Sequence, residues 1–399
     1  MKYKGIVISD IHVGAMNLEK LHREYIEIFI NHINKMKKLD FLIVDGDFFH
    51  RKFYLNDQES VMAYAMLREL VLACKEKDTI IRLVYGTESH ECNQYDILSL
   101  LKIYDKIEVV KYAKEEELLP DLHILYLPEE HLLNKDKYYE KYFSNIKKYN
   151  YIFGHGVIRE VWREQVSHIE TNEDSDNANK RKKVPIFKSN ELLKCCKGQV
   201  FFGHYHINQN MDDLIYSVGS FSRWQFGEEG PKGFYELKCD TEKNKYTASF
   251  IENTMAEKYA TISYGYDNKI FKDENNMQES IESINKMIDR ELYDHVKFVF
   301  NVPSSVENPE ATVNFLKEKF KTNDKVKVEI THGYIEEKRK QQREQIQLNN
   351  TKYAFIFNKS LPLEDKVHQF ITVEYNKDID TKKILDYLYK PLMEILAEE

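Results

Sequence analysis

Five short apolar runs in this 399-residue chain end in a carboxylate, an imidazole or both. Residues 5–9 lead into Asp10-Ile11-His12, and residues 41–44 lead into Asp45-Gly46-Asp47-Phe48-Phe49-His50. Residues 79–85 run into Gly86-Thr87-Glu88-Ser89-His90-Glu91, residues 151–153 into Gly154-His155-Gly156, and residues 200–202 into Gly203-His204-Tyr205-His206. Taken singly, an aspartate after a strand is an ordinary helix cap, and Gly-Asp is an ordinary turn. Gly-His-x-His is more specific, because two histidines two apart at a strand end seldom have a packing reason. Hard carboxylates mixed with several imidazoles suit Mn²⁺, Fe²⁺ or Zn²⁺ rather than Mg²⁺ alone or a thiolate zinc site. Two carboxylates and four imidazoles exceed the needs of one tetrahedral ion. The set therefore predicts two divalent ions about 3.5–4 Å apart, bridged by the centrally placed Asp47. Such a pair acidifies a water for attack on phosphorus and stabilises the charge that develops.

Residues spread over some 200 positions converge only if the fold gathers them. Strand candidates at 5–9, 41–44, 79–85, 122–127, 151–153 and 200–202 alternate with helical periodicity. In 21–38 the residues Tyr25, Ile26, Phe29, Ile30 and Ile33 fall at helical spacing, and 58–77 repeats the pattern. This alternation predicts an α/β layered fold, in which the carboxyl ends of the strands share one edge where ligand sites form. After residue 200 the pattern turns to β, and 214–220, 233–238 and 245–251 read as a meander. The apolar-free stretch 170–183 reads as an exposed loop. Residues 256–335 form a β-α-β-α-β series with helices at 276–292 and 308–321. A charged linker at 336–350 precedes two amphipathic helices at 362–375 and 381–397; the second carries Ile384, Leu385, Leu388, Leu392 and Ile395 on one stripe.

Composition bounds the function. A hydrophobic share of 42% supplies a core, and the charged share of 31% describes a wet surface. No apolar run approaches a membrane span, and the N-terminus lacks a signal-peptide pattern, so a cytoplasmic protein is expected. Five cysteines without a CxxC pair exclude a disulfide framework or zinc ribbon. A net charge of −8 argues against nucleic-acid binding by overall positive potential and leaves a local basic face, metal ions or a partner subunit to do that work. The abundance of Lys, Asn, Ile and Tyr points to AT-rich coding and a phage origin, with action in the host cytoplasm.

Asp10-x-His12, Gly46-Asp47, Ser89-His90, Gly154-His155 and Gly203-His204-x-His206 together resemble the five-motif pattern of the calcineurin-like metallophosphoesterases. Asp47-Phe-Phe-His50 is similar to the SbcD-type nuclease branch, bacterial and phage relatives of the meiotic recombination nuclease. The passage Tyr216-Ser-Val-Gly219-Ser220, Arg223, Phe226-Gly227-Glu228 and Lys232-Gly233 extends the resemblance, which covers about residues 1–250. It implies a four-layer α/β/β/α sandwich over 1–255, a smaller α+β capping domain over 256–335 and a C-terminal extension over 336–399. It also implies that Asp10, His12, Asp47 and His206 hold one Mn²⁺, while Asp47, His155 and His204 hold the other. His90 would protonate the leaving oxygen, and His50 would position the phosphodiester. One stretch departs from the pattern. The family has Gly-Asn-His-Asp where this chain has Gly86-Thr87-Glu88-Ser89-His90-Glu91, so Ser89 is expected as a weaker ligand of the second metal and Glu91 as the partner fixing the His90 tautomer.

The resemblance implies a Mn²⁺-dependent DNA nuclease, a 3′–5′ exonuclease and single-strand endonuclease. It would act with an SbcC-type coiled-coil ATPase docked on the helices beyond residue 352. The apolar face of 58–77 suits either a homodimer or burial against the sheet. Two other readings stand beside this one: a small-molecule or cyclic-nucleotide metallophosphodiesterase, and a catalytically impaired scaffold whose site has decayed at Ser89.

Overall fold

The computed structural model describes residues 1–54, 57, 59–98, 104–130, 135–160, 184–228, 230–264, 293–301 and 326–331, with single helical positions at 279, 282, 286, 311, 314 and 318. The chain divides into two compact units. One comprises Met1–Thr261 with Ile288–Val296, and the other Ile262–Met287 with Lys297–Glu399. The expected loop at 170–183, the linker and both C-terminal helices lie outside the described residues, as do most positions of the helices expected at 276–292 and 308–321.

The first unit is mixed α/β. Strands β1 (Lys2–Ile8), β2 (Phe41–Asp45), β3 (Ile80–Val84) and β4 (Ile107–Val110) run parallel, and the hairpin β13 (Gly233–Asp240)–β14 (Lys245–Glu252) adds antiparallel to β1, giving the order β14-β13-β1-β2-β3-β4. A second six-stranded sheet contains β5 (Lys114–Leu119), β6 (Leu122–Leu127), β7 (Tyr149–His155), β10 (Cys196–Gly203), β11 (Gln209–Met211) and β12 (Ile215–Ser217), in the order β11-β12-β10-β7-β6-β5. Two short strands, β8 (Val157–Ile158) and β9 (Ile186–Phe187), pair beside it. Beyond these, a three-stranded sheet has the order β15 (Tyr259–Tyr264), β16 (His295–Asn301), β17 (Val326–Thr331), with its residues from Ile262 and from Lys297 onward counted in the second unit.

The expected meander is not one. Ile215–Ser217 pairs parallel with β10 in the second sheet, whereas β13 and β14 join the first. All three segments carry the β pattern, but sheet membership is decided by pairing across distant strands, which local periodicity does not encode.

Burial on both faces explains the near-continuous apolar strands. On one face of the first sheet Ile6, Ile8, Leu42, Val44, Ile81 and Leu83 share a core with Leu21, Tyr25, Phe29, Met66 and Leu70 of the helical segments 18–35 and Ser60–Lys75. Alternate residues Val7, Phe41, Ile43 and Val84 share a second core with Ile124, Tyr126, Tyr151, Phe153 and Phe201 of the other sheet. A third core joins Leu125, Leu127, Ile152, Val200 and Phe202 to Tyr139, Tyr142 and Leu192 of helices Lys135–Phe143 and Ser189–Cys195. The apolar face of Ser60–Lys75 is thus spent on the interior. All five cysteines are free. Among the described residues, no helix is long and apolar enough to cross a membrane.

Candidate metal centre

The loops that follow β1 and β2 run alongside each other. The Asp10 amide donates to the Gly46 carbonyl at 3.1 Å and the His12 amide to the Asp47 carbonyl at 3.0 Å. From the second sheet, the His204 amide donates to both Asp10 carboxylate oxygens, at 3.2 and 3.1 Å. These crossings draw the carboxyl ends of strands from both sheets into one cluster. The geometry is tight enough to demand glycine: a Cβ on Gly86 would lie 2.3 Å from Asp47 Oδ1, and one on Gly203 would lie 1.9 Å from Ser9 Oγ. Asp10, His12, Asp47 and His204 all adopt left-handed backbone, with φ of 49°, 50°, 50° and 105°. Non-glycine residues are uncommon there and gather where function requires them.

Asp10, His12 and His206 form one group of ligand-type atoms, and Asp10, Asp47 and His155 form another. His12 Nε2 lies 3.7 Å from Asp10 Oδ1 and 3.6 Å from Asp47 Oδ2. It faces His206 Nε2 at 3.1 Å. His206 Nδ1 is held by Glu228 Oε1 at 2.5 Å, which makes Nδ1 the donor and turns the Nε2 lone pair towards His12 and Asp10. His155 follows the same logic, since its Nδ1 donates to the Asp45 carbonyl at 2.9 Å. Its Nε2, fully buried and without a hydrogen-bond partner, sits 3.4 Å from Asp47 Oδ2 and 3.8 Å from Glu129 Oε2. Burial opposes charge on this imidazole, but Asp47, Asp10 and Glu129 outweigh it and raise the group well above its ordinary value. Its Nε2 therefore faces a place that a proton or a cation can occupy, and the donor set fits a divalent metal.

The protonation pattern is shaped by the same contacts. Burial opposes charge on Asp47, yet the His155 and His90 imidazoles outweigh it and hold the carboxyl well below its usual range. Burial likewise works against a charged His90, but its bond to Asp47 raises the imidazole above its ordinary value. That bond runs from Nδ1 to Asp47 Oδ2 at 2.8 Å. His50 is pushed down to about 4, first by burial and then by His12 and His90. Its Nδ1 meets His12 Nδ1 at 3.2 Å.

Two expected residues are not brought into the cluster. Ser89 is exposed on the short helix Glu88–Glu91, and its carbonyl accepts from the Cys92 thiol. Thr87, directly after Gly86, stands nearer the metal-type groups: its amide donates to Asp47 Oδ1 at 2.6 Å and its hydroxyl lies 3.2 Å from Asp47 Oδ2. The motif is therefore anchored by counting forward from the glycine rather than back from the histidine. Glu91 is fully buried away from His90. Its Oε1 accepts from the Phe48 amide and the Tyr95 hydroxyl, because adjacent helical residues point about 100° apart.

Three participants were missed. Glu129 lies 3.3 Å from His204 Nδ1 and 3.1 Å from the Thr87 hydroxyl. Trp224 packs its ring 4.7 Å from both His12 and His206. Glu228 orients His206 and is itself held by Lys232 at 3.1 Å. For Glu129 a signal existed: 122–127 is an apolar strand that runs into Pro128-Glu129-Glu130, a sixth strand ending in carboxylate. Among the histidines outside the motifs, His22, His32 and His295 pair with Glu69, Glu236 and Glu257 away from this cluster. In comparisons with protein-family models and with curated proteins, the chain matches none.

Proposed function

We propose that the first unit is a two-metal phosphodiesterase acting on DNA. The observation that carries the reading is the meeting of imidazole–carboxylate groups on either side of Asp47, with the buried His155 Nε2 lacking a hydrogen-bond partner among the described residues. Asp10, His12, His206 and Asp47 would hold one divalent ion, and Asp47, His155 and His204 the other, with Mn²⁺ the expected species. When bound, the ions supply Lewis-acid activation of water and charge neutralisation at phosphorus. The bond from water oxygen to phosphorus forms as the bond to the leaving oxygen breaks. His90, held through Nδ1 by Asp47, would deliver a proton from its other ring nitrogen to the leaving oxygen. His50, neutral at physiological pH, positions the diester as an uncharged hydrogen-bonding group.

The order of helices, two sheets and helices around three cores supports the four-layer α/β/β/α reading. DNA as the substrate rests on His50 and on the Gly219–Gly233 passage, through their resemblance to SbcD-type nucleases. An SbcC-type ATPase is the corresponding partner, and a homodimer would have to use surfaces other than the covered stripe of Ser60–Lys75. Cytoplasmic action follows from the same reading. The discriminating experiment compares linear double-stranded DNA with a bis-aryl phosphate in Mn²⁺, using wild type and Asp47→Ala. Expected is DNA cleavage by the wild type and a loss on the order of a hundredfold or more in the variant. Aryl phosphate turnover without DNA cleavage, even with the ATPase present, would favour a small-molecule phosphodiesterase.

A further inference from the structure

Ser89 was the weak point of the second metal site, and the cluster supplies a different oxygen. Glu129 enters from the end of β6, between the loops carrying Thr87 and His204. Its side chain is 1% exposed, and its Oε2 lies 3.3 Å from His204 Nδ1 and 3.8 Å from His155 Nε2. Two ligand atoms each about 2.1 Å from a common ion lie about 3 to 4 Å apart, so both separations suit ligands of one ion. The three atoms also fall within 4.8 Å of one another as a single group. This group matches the one on the other side of Asp47: Glu129, His155 and His204 mirror Asp10, His206 and His12.

We propose that Glu129 is a protein ligand of the second metal and takes the place expected for Ser89. This inference rests on the two-metal reading above. Each ion then has two imidazoles, one carboxylate of its own and a share of Asp47, so the two positions are alike in charge and donor type. A neutral hydroxyl ligand would have left the second ion loosely held; an anionic oxygen makes it a resident. Thr87 serves as the brace between the bridge and the new ligand, its hydroxyl lying 3.2 Å from Asp47 Oδ2 and 3.1 Å from Glu129 Oε2.

The test is metal stoichiometry, which does not depend on turnover. Purified full-length wild type, Glu129→Ala, Glu129→Gln and Ser89→Ala are equilibrated with Mn²⁺ and analysed by calorimetry, elemental analysis and electron paramagnetic resonance. The expected wild type holds two Mn²⁺ per chain with an exchange-coupled signal. Glu129→Ala retains one ion and shows the six-line spectrum of isolated Mn²⁺. Glu129→Gln, nearly isosteric and so safeguarding against a folding failure, binds the second ion at least tenfold more weakly. Ser89→Ala keeps both ions. Two tightly held ions in Glu129→Ala and Glu129→Gln would overturn the assignment and leave Glu129 as a hydrogen-bond partner of His204. A wild type that holds two ions but cleaves no DNA would overturn the nuclease reading alone, and one that holds none would overturn both.

Discussion

Burial, followed by the nearby charge of Asp47, pushes the Glu91 carboxyl up from 4.5 to about 8. The folded protein therefore retains a proton that the unfolded chain releases above its ordinary value. Stability associated with this group is complete below pH 4.5 and is lost as pH rises through about 8. Glu91→Gln removes the titration, so the variant should gain on the wild type by about 1.4 kcal/mol per pH unit across that window. Denaturant melts at pH 5, 6.5 and 8 measure it, and parallel curves for the two proteins would sink the idea. Glu228 offers a complementary case, since it orients His206 without belonging to the ligand groups. Glu228→Gln should weaken Mn²⁺ binding about 10- to 100-fold with the fold intact, measured by calorimetry alongside circular dichroism. At this scale six of the clustered metal-type residues were legible, because a carboxylate or imidazole beside glycine interrupts an otherwise apolar strand. Glu129 escaped because its strand-end signal lacks the neighbouring glycine, and Pro-Glu-Glu also reads as a solvated turn. Glu91 was misread because sequence adjacency to His90 says nothing of direction on a helix.

Strands with both faces covered announced themselves as apolar runs, and β6 was placed to the residue. The edge strand β5 did not. Lys114–Leu119 reads KEEELL, and it forms a strand because its charges are answered from neighbouring elements. Glu116 receives the Arg82 guanidinium from β3 at 3.0 and 2.5 Å, while Glu115 accepts from the Tyr149 hydroxyl at 2.7 Å. No single-segment pattern carries such distant pairings. The helix expected from periodicity at 21–38 is present as Leu18–Glu24 and Asn31–Lys35, but between them Tyr25–Ile30 widens into a π-helix, a local unwinding that hydrophobic spacing does not reveal. At the turns, the constraint is space. Gly203→Ala would drive a methyl group into Ser9 Oγ and the Asp45 carbonyl, at 1.9 and 2.4 Å. It should cost about 1–3 kcal/mol and abolish high-affinity Mn²⁺ binding, checked by thermal melts with and without the metal.

Within the first unit, the ligand-type residues come from two sheets: Asp10, His12 and Asp47 follow strands of one, while His155 ends a strand of the other and Glu129, His204 and His206 follow its strands. A pair of bound ions would clamp these sheets together at their carboxyl edge. Mn²⁺ at a hundredfold excess over its dissociation constant should stabilise the protein by about 2.7 kcal/mol per site, and chelation should reverse this. Calorimetric melts provide the measurement, with Asp47→Ala expected to lose most of the metal-induced shift. On the proposed function, the net charge of −8 would leave cations at the centre, rather than the protein surface, to meet a polyanionic substrate. The α/β class was legible from the alternation of periods, whereas the assignment of strands to sheets was not.

The left-handed backbone at Asp10, His12, Asp47 and His204 has a consequence for any search for hardier variants. Glycine relieves the φ strain but frees the unfolded chain and strands the amides that Asp10 and Asp47 accept from. Replacement in metal-free medium therefore raises the melting temperature only where relief of strain and of buried charge outweighs those losses. Screening by heat resistance alone would then enrich the changes that delete the ligands. On the proposed two-metal reading, library selections on this protein should be run in Mn²⁺, where losing a ligand would forfeit metal-binding free energy that offsets the strain relieved.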